Sequence, residues 1–158
     1  MKSVTLVVTA ALVLAACAKD PAAMLISGNE ISITVERVQP YFWSSGWELS
    51  VITRRHPDCQ RRYALKPTSA SRVKVDIFNP EPAVYILRQG KRWYVTELKT
   101  CGFQAYKDPP PEPGELIGSF YEKSGVFQFV ANASKAPAKG DKDAATEAAD
   151  KAADKAAE

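Results

Sequence analysis

Histidine is almost missing from the chain: its 158 residues include one, His56, beside three cysteines. Four nitrogen or sulfur ligands at metal-binding spacings cannot be drawn from that stock. This excludes a conventional zinc site, and no metal or other cofactor is expected. Charge of one sign is scarce as well. Lys plus Arg number 21 against 18 Asp plus Glu, a surplus of three. A nucleic-acid-binding domain is strongly basic, so nucleic acid is not an expected partner. No apolar run approaches the roughly 20 residues that span a bilayer as a helix. Eleven prolines, nine of them between Pro40 and Pro113, argue against a helical bundle. What remains, 46% hydrophobic and 25% charged, is the composition of an ordinary globular protein.

The amino terminus reads as an address. Met1-Lys2-Ser3 precedes a short apolar core, Val4 to Ala16, the order and length of a secretory signal. It ends Leu14-Ala15-Ala16-Cys17. These four residues resemble the lipobox of bacterial lipoproteins, and the resemblance covers the amino terminus alone. It implies a diacylglyceryl group on the Cys17 sulfur, cleavage before Cys17 and acylation of the new terminus. Several acyl chains hold a protein on a membrane durably, at about 0.8 kcal/mol per buried methylene, where one chain is marginal. Ala18 and Lys19 stand where Asp retains such proteins at the inner membrane. The resemblance therefore implies the outer membrane, on its periplasmic face. A plain signal followed by an incidental Cys is the alternative.

With Cys17 lipidated, Cys59 and Cys101 are left. An even pair in an exported domain reads as one disulfide, because the periplasm is oxidising. Metal binding is the competing reading, and its spacing is poor: only His56, three residues before Cys59, lies at a ligand-like distance.

All 15 aromatic residues fall between Tyr41 and Phe129, and no Leu, Ile or Val follows Lys135. The composition divides the chain into a signal peptide (1–16), the lipidated Cys and a tether (17–26), a β domain (27–133) and a tail (134–158). The tail, with its repeated Ala-Ala-Asp-Lys, has no apolar face to bury and reads as disordered or partly helical. Within the domain the apolar period is two. Ile31, Ile33 and Val35 alternate with polar residues, as do Trp47, Leu49 and Val51, then Val73, Val75 and Ile77. Residues 85–88 and 93–98 flank a hairpin turn at Gly90, and 116–121 and 126–130 flank another at Gly125. Gln60 to Leu65 is a weaker strand. Prolines 80 and 82, and the run Asp108 to Gly114, read as breaks excluded from central strands. About eight strands with short connections predict an all-β, antiparallel domain, a small barrel or a two-sheet sandwich, with the barrel preferred.

Candidate chemistry is sparse. His56 has no nucleophile motif to serve, Glu112 and Glu115 sit beside a solvated loop, and Glu97 lacks an evident partner. No catalytic residue is assigned, and an enzyme is not expected. The one non-random constellation is basic: Arg54, Arg55, Arg61 and Arg62 bracket Cys59, and guanidinium forks suit phosphate and carboxylate groups. A second cluster, Tyr41 to Trp47, places aromatics around a turn. The alternatives are solvated strand ends for the arginines and core filling for Trp43 and Trp47. The expected function is a lipid-anchored envelope protein with a non-enzymatic binding or structural role. Its partners would be the membrane, through the anchor, and lipopolysaccharide, peptidoglycan or an envelope protein, through the Arg-rich turn. The second reading is a periplasmic inhibitor of a cell-wall hydrolase. Small lipoproteins that inhibit lysozyme are similar in size, anchor and β content, although their Ser-Gly…Tyr and Trp-x-Lys-Gly blocks are not reproduced at Ser124-Gly125 and Trp93.

Overall fold

Side chains that alternate inward and outward need a sheet on which to alternate, and two sheets are present. The computed structural model describes residues 18–132 apart from 42, 70 and 71. Among the described residues there are ten strands and no helix. They are β1 (Ala18–Ser27), β2 (Ile31–Gln39), β3 (Glu48–Arg55), β4 (Cys59–Ala64) and β5 (Lys74–Glu81), then β6 (Val84–Gln89), β7 (Arg92–Glu97), β8 (Gly102–Ala105), β9 (Glu115–Lys123) and β10 (Val126–Ala131). The signal peptide, Cys17 and the tail lie outside the described residues.

The strands form two antiparallel sheets, β1-β2-β3-β4 and β10-β9-β5-β6-β7-β8. The all-β antiparallel expectation holds, in its two-sheet form. The preferred barrel is not formed, because no ladder of the described residues joins one sheet to the other. Side chains close both seams instead. β1 lies beside β10, and the Cys59–Cys101 disulfide ties the start of β4 to the turn before β8. Between the sheets, Ile33, Val35 and Val51 meet Val75, Ile77, Leu87 and Phe120, none with any exposed surface. Full burial of such a side chain contributes about 1.5–3 kcal/mol. Thr53 and Thr96 are equally buried, and their hydroxyls join the sheets at 3.0 Å. Thr96 donates to the Gly102 carbonyl at 2.9 Å, so its proton is committed and Thr53 is the donor between the two.

Three expectations need correction. Residues 18–26 are not a tether but belong to the folded domain, in strand β1. β1 pairs with β2 along nearly its whole length, with Ala22 and Met24 turned into the core. Alanines are too small to announce that inward face, and Leu25 faces outward. β8 was not foreseen because four residues, two of them exposed, carry too little alternation to detect. Pro80 does stand in a central strand. It is tolerated because the β5–β6 ladder skips from Phe78 to Glu81, leaving a bulge that asks no amide proton of it. Asn79 spans the bulge, donating from Nδ2 to the carbonyls of Glu81 and Val84, each at 2.8 Å.

The proline run 109–113 has a structural task. β8 ends at one edge of the large sheet, level with Tyr94, Leu87 and Ile77, while β9 starts on the far side of β5, opposite Asn79, two residues further along that strand. The connection must cross β7, β6 and β5 on a diagonal, and the inner face is occupied by the small sheet. It therefore passes over the outer face, where outward-directed Phe78 and Ile86 are 8% and 3% exposed. A polyproline stretch suits such a strap because it has no internal hydrogen bonds to lose and little entropy to surrender. Gly114 ends it at φ 85°, with the Pro80 backbone so near that a Cβ would come to 2.4 Å.

Candidate functional site

The four arginines singled out by their spacing do not share a surface. β3 and β4 pair as Ile52↔Arg62, Thr53↔Arg61, Arg54↔Gln60 and Arg55↔Cys59. Partners across a ladder share a face, and faces alternate along a strand. Arg54 and Arg62 therefore point outward, whereas Arg55 and Arg61 lie on the side of Thr53 and the disulfide. Three of them are already engaged. Arg54 donates to Gln60 Oε1 at 3.0 Å, Arg55 pairs with Asp58 at 3.2 Å, and Arg62 bonds Glu36 and the Ser50 hydroxyl. Only Arg61 has no ion pair or hydrogen bond among the described residues. A single four-guanidinium turn is therefore corrected to two pairs on opposite faces, with one side chain unengaged.

Cys59 and Cys101 are bonded, as parity suggested. Their seam is reinforced by Tyr63, whose hydroxyl donates to the Cys101 carbonyl at 2.6 Å and whose ring stacks on Phe103 at 4.8 Å. The aromatic turn divides. Trp47 packs against the core, while Tyr41 and Trp43 stack on each other at 5.0 Å and remain 57% and 69% exposed. His56 sits exposed in the β3–β4 turn and Glu112 on the proline strap, far from forming an acid–base pair; Glu97 accepts from the Thr100 hydroxyl. No cluster of metal-ligating side chains occurs among the described residues.

The structure brings forward three charged nodes that the spacing of motifs did not suggest. Arg37 continues the inward series Ile31, Ile33, Val35, and is 3% exposed. Its guanidinium lies 4.5 Å from the Trp47 ring and 4.7 Å from the Phe127 ring. It pairs with Asp20 of β1 at 2.7 Å and Glu122 of β9 at 2.9 Å, which ties the two sheets at the β1–β10 seam. Its Nη1 is buried without a partner. The period-two pattern would have found it, had it been followed one step past Val35.

Glu36 and Asp76 are the other two nodes, each on an outward face yet 3% and 5% exposed. Burial works to raise the pKa of Glu36, but hydrogen bonds and charge from Arg62 and Lys19 outweigh it and leave the carboxyl below its ordinary 4.5. At Asp76 burial is again opposed, here by the Ser119 hydroxyl at 2.6 Å, Arg88 at 2.6 Å and Lys74 at 3.2 Å, and the net is below 3.8. The Arg88 guanidinium also lies over Phe78 and Trp93, at 5.3 and 5.5 Å. Sequence spacing could not find these nodes, since most of their partners come from other strands, for Glu36 17 and 26 residues away and for Asp76 as far as 43.

Two concave regions are basic. One, of about 440 Å³, is lined by Arg72, Lys74, Lys91 and Arg92 with Thr68 and Gln89, beside the β6–β7 turn. A groove of about 750 Å³ continues from Arg72 and Lys74 toward Tyr121, Glu122 and Ser124. Comparison of the chain with known protein families, curated proteins and solved structures finds no match. The described residues form an antiparallel two-sheet sandwich with one disulfide.

Proposed function

We propose that the chain is a lipid-anchored envelope protein on the periplasmic face of the outer membrane, with a non-enzymatic binding or structural role. The observation that carries the reading is the start of β1. Among the described residues, strand pairing reaches back to Ala18, the residue after the lipobox cysteine. An acylated Cys17 would then have no slack, and the domain would be held directly at the bilayer rather than on a leash. The strand register supports a second element of the reading. Ala18 stands opposite Gln39, whereas Arg55 and Cys59 stand opposite each other at the far ends of β3 and β4. β3 has eight residues, so the Arg-rich turn lies about 26 Å from the anchored end. At that distance it faces the periplasm. Of the anionic envelope components, a cell-wall polymer such as peptidoglycan suits it better than headgroups of the anchoring leaflet.

Metabolic labelling with palmitate, followed by cell fractionation, tests the anchor. The wild-type chain is expected to carry label and sediment with outer membrane, and Cys17→Ser to lose both. An unlabelled wild-type product in the soluble fraction would end the proposal. For the distal turn, Arg55→Glu with Arg61→Glu, the pair that shares a face, is expected to weaken sedimentation with purified sacculi without moving the thermal midpoint.

A further inference from the structure

We propose that the end of the sandwich at which β1 begins is a bilayer-seating face, and that the basic cleft beside it takes a lipid phosphate. The strand register defines that end. Ala18 is level with Gln39, so the β2–β3 connection is there. Glu122, at the tip of β9, reaches Arg37 two residues before Gln39, and this adds the β9–β10 turn. Gln89 donates to the Lys66 carbonyl at 2.8 Å, which adds the β6–β7 turn and the chain leaving β4.

Two independent distributions converge on this end. The first is apolar. Five large apolar side chains are exposed among the described residues: Leu25, Tyr41, Trp43, Tyr106 and Val126. All except Leu25 are here, since Val126 follows the β9–β10 turn and the Tyr106 amide bonds the Trp93 carbonyl beside the β6–β7 turn. Tyr and Trp rings with one apolar body and one polar edge are the side chains that settle at a membrane–water boundary. The second is charge. Lys19, Lys66, Arg72, Lys91, Arg92 and Lys123 are all exposed at this end. Of its carboxylates, Glu36 holds Lys19, and Asp20 and Glu122 are tied to Arg37, which leaves Glu48 and Asp108. No carboxylate lines the 440 Å³ cleft among the described residues, and Arg72, Lys91 and Arg92 have no ion pair there. Lys74 is held by Asp76. Arg forks match phosphate oxygens, and each basic residue close to an anionic membrane raises partition about fivefold.

The occupant is therefore an anionic bilayer surface, met by aromatics and cations together. The orientation extends the anchored reading given above, but the surface itself is testable without the anchor. The full chain carrying Cys17→Ser, which cannot be acylated, is mixed with phosphatidylcholine vesicles with and without phosphatidylglycerol. The neutral vesicles measure whatever residues 1–16 contribute. Binding is expected to prefer phosphatidylglycerol and to fall with added salt. Combined Arg72→Glu, Lys91→Glu and Arg92→Glu should weaken it by at least about a hundredfold, while Arg54→Glu with Arg55→Glu and Arg61→Glu leaves it unchanged. The corresponding Gln set, each variant checked by thermal unfolding, covers the event that charge reversal disturbs folding. Lipids with brominated acyl chains should quench tryptophan emission, and Trp43→Phe should remove most of that quenching. Equal loss in the near-end and far-end variants would overturn the proposal. So would full displacement from vesicles by inorganic phosphate, which would mark a soluble ligand. A wild-type chain that takes palmitate but shows no anionic preference overturns the seating face and leaves the anchor standing.

Discussion

Arg37 shows how a charge becomes part of a core. Two rings hold its flat guanidinium, two half-exposed carboxylates neutralise it, and one nitrogen is left dry without a partner. Its packing and its charge can be separated. Arg37→Ala removes both and is expected to cost about 3 kcal/mol in chemical denaturation. Arg37→Met keeps apolar contact with the rings and discards the unpaired nitrogen, so about 1 kcal/mol is expected. Equal losses would show that pairing with Asp20 and Glu122, rather than packing, holds the seam. Asp76 makes the corresponding statement about pH. Its carboxyl titrates lower when folded than its ordinary 3.8, so below that value the unfolded chain binds more protons than the native one. Its stabilising contribution is complete above about pH 4 and disappears as pH falls through the folded value; Glu36 behaves the same way. Asp76→Asn should therefore be less stable by about 1–3 kcal/mol at neutral pH, and urea titrations should show that gap closing in acid. A gap that persists unchanged to low pH would assign the loss to geometry instead of charge.

At the scale of elements, the two seams are closed by different means. The β1–β10 side relies on side chains around Arg37, and the β4–β8 side on a covalent bond across a sequence separation of 42 residues. Chain-entropy arguments give a loop of that size about 4 kcal/mol, a large share of the total for a domain this small. Cys59→Ser with Cys101→Ser is expected to shift the denaturation midpoint by that order. A shift below about 1 kcal/mol would mean that Tyr63, Phe103 and the Thr53–Thr96 pair hold the seam without it. Six of the eight legible strands carried two β-branched or aromatic residues at a spacing of two; β4, with Tyr63 alone, read as a weaker strand, and β9 was legible from the hairpin turn at Gly125. β1 and β8 were not. β1 turns alanine and methionine inward, and β8 is four residues long and owes its place to Tyr94 and Thr96 on its neighbour. Pro80 misled for a related reason: the bulge that excuses it is a property of two strands at once.

Taken whole, the molecule is polar along its strands. One end gathers the start of β1, exposed Tyr41 and Trp43, and the basic cleft; the other gathers the disulfide and the arginines that bracket it. Every one of these residues is visible in the sequence, and the cysteine pairing, the all-β class and the two hairpins follow from parity and period, which are local quantities. Which arginines stand together, which carboxylates are buried and which basic residues line one cleft do not follow. Those depend on ladders joining residues tens of positions apart, and the distance between such residues is set only when the sheets have closed on their common core. Composition and local alternation determined what this chain would build; register and the crossing of the proline strap decided which side chains would meet.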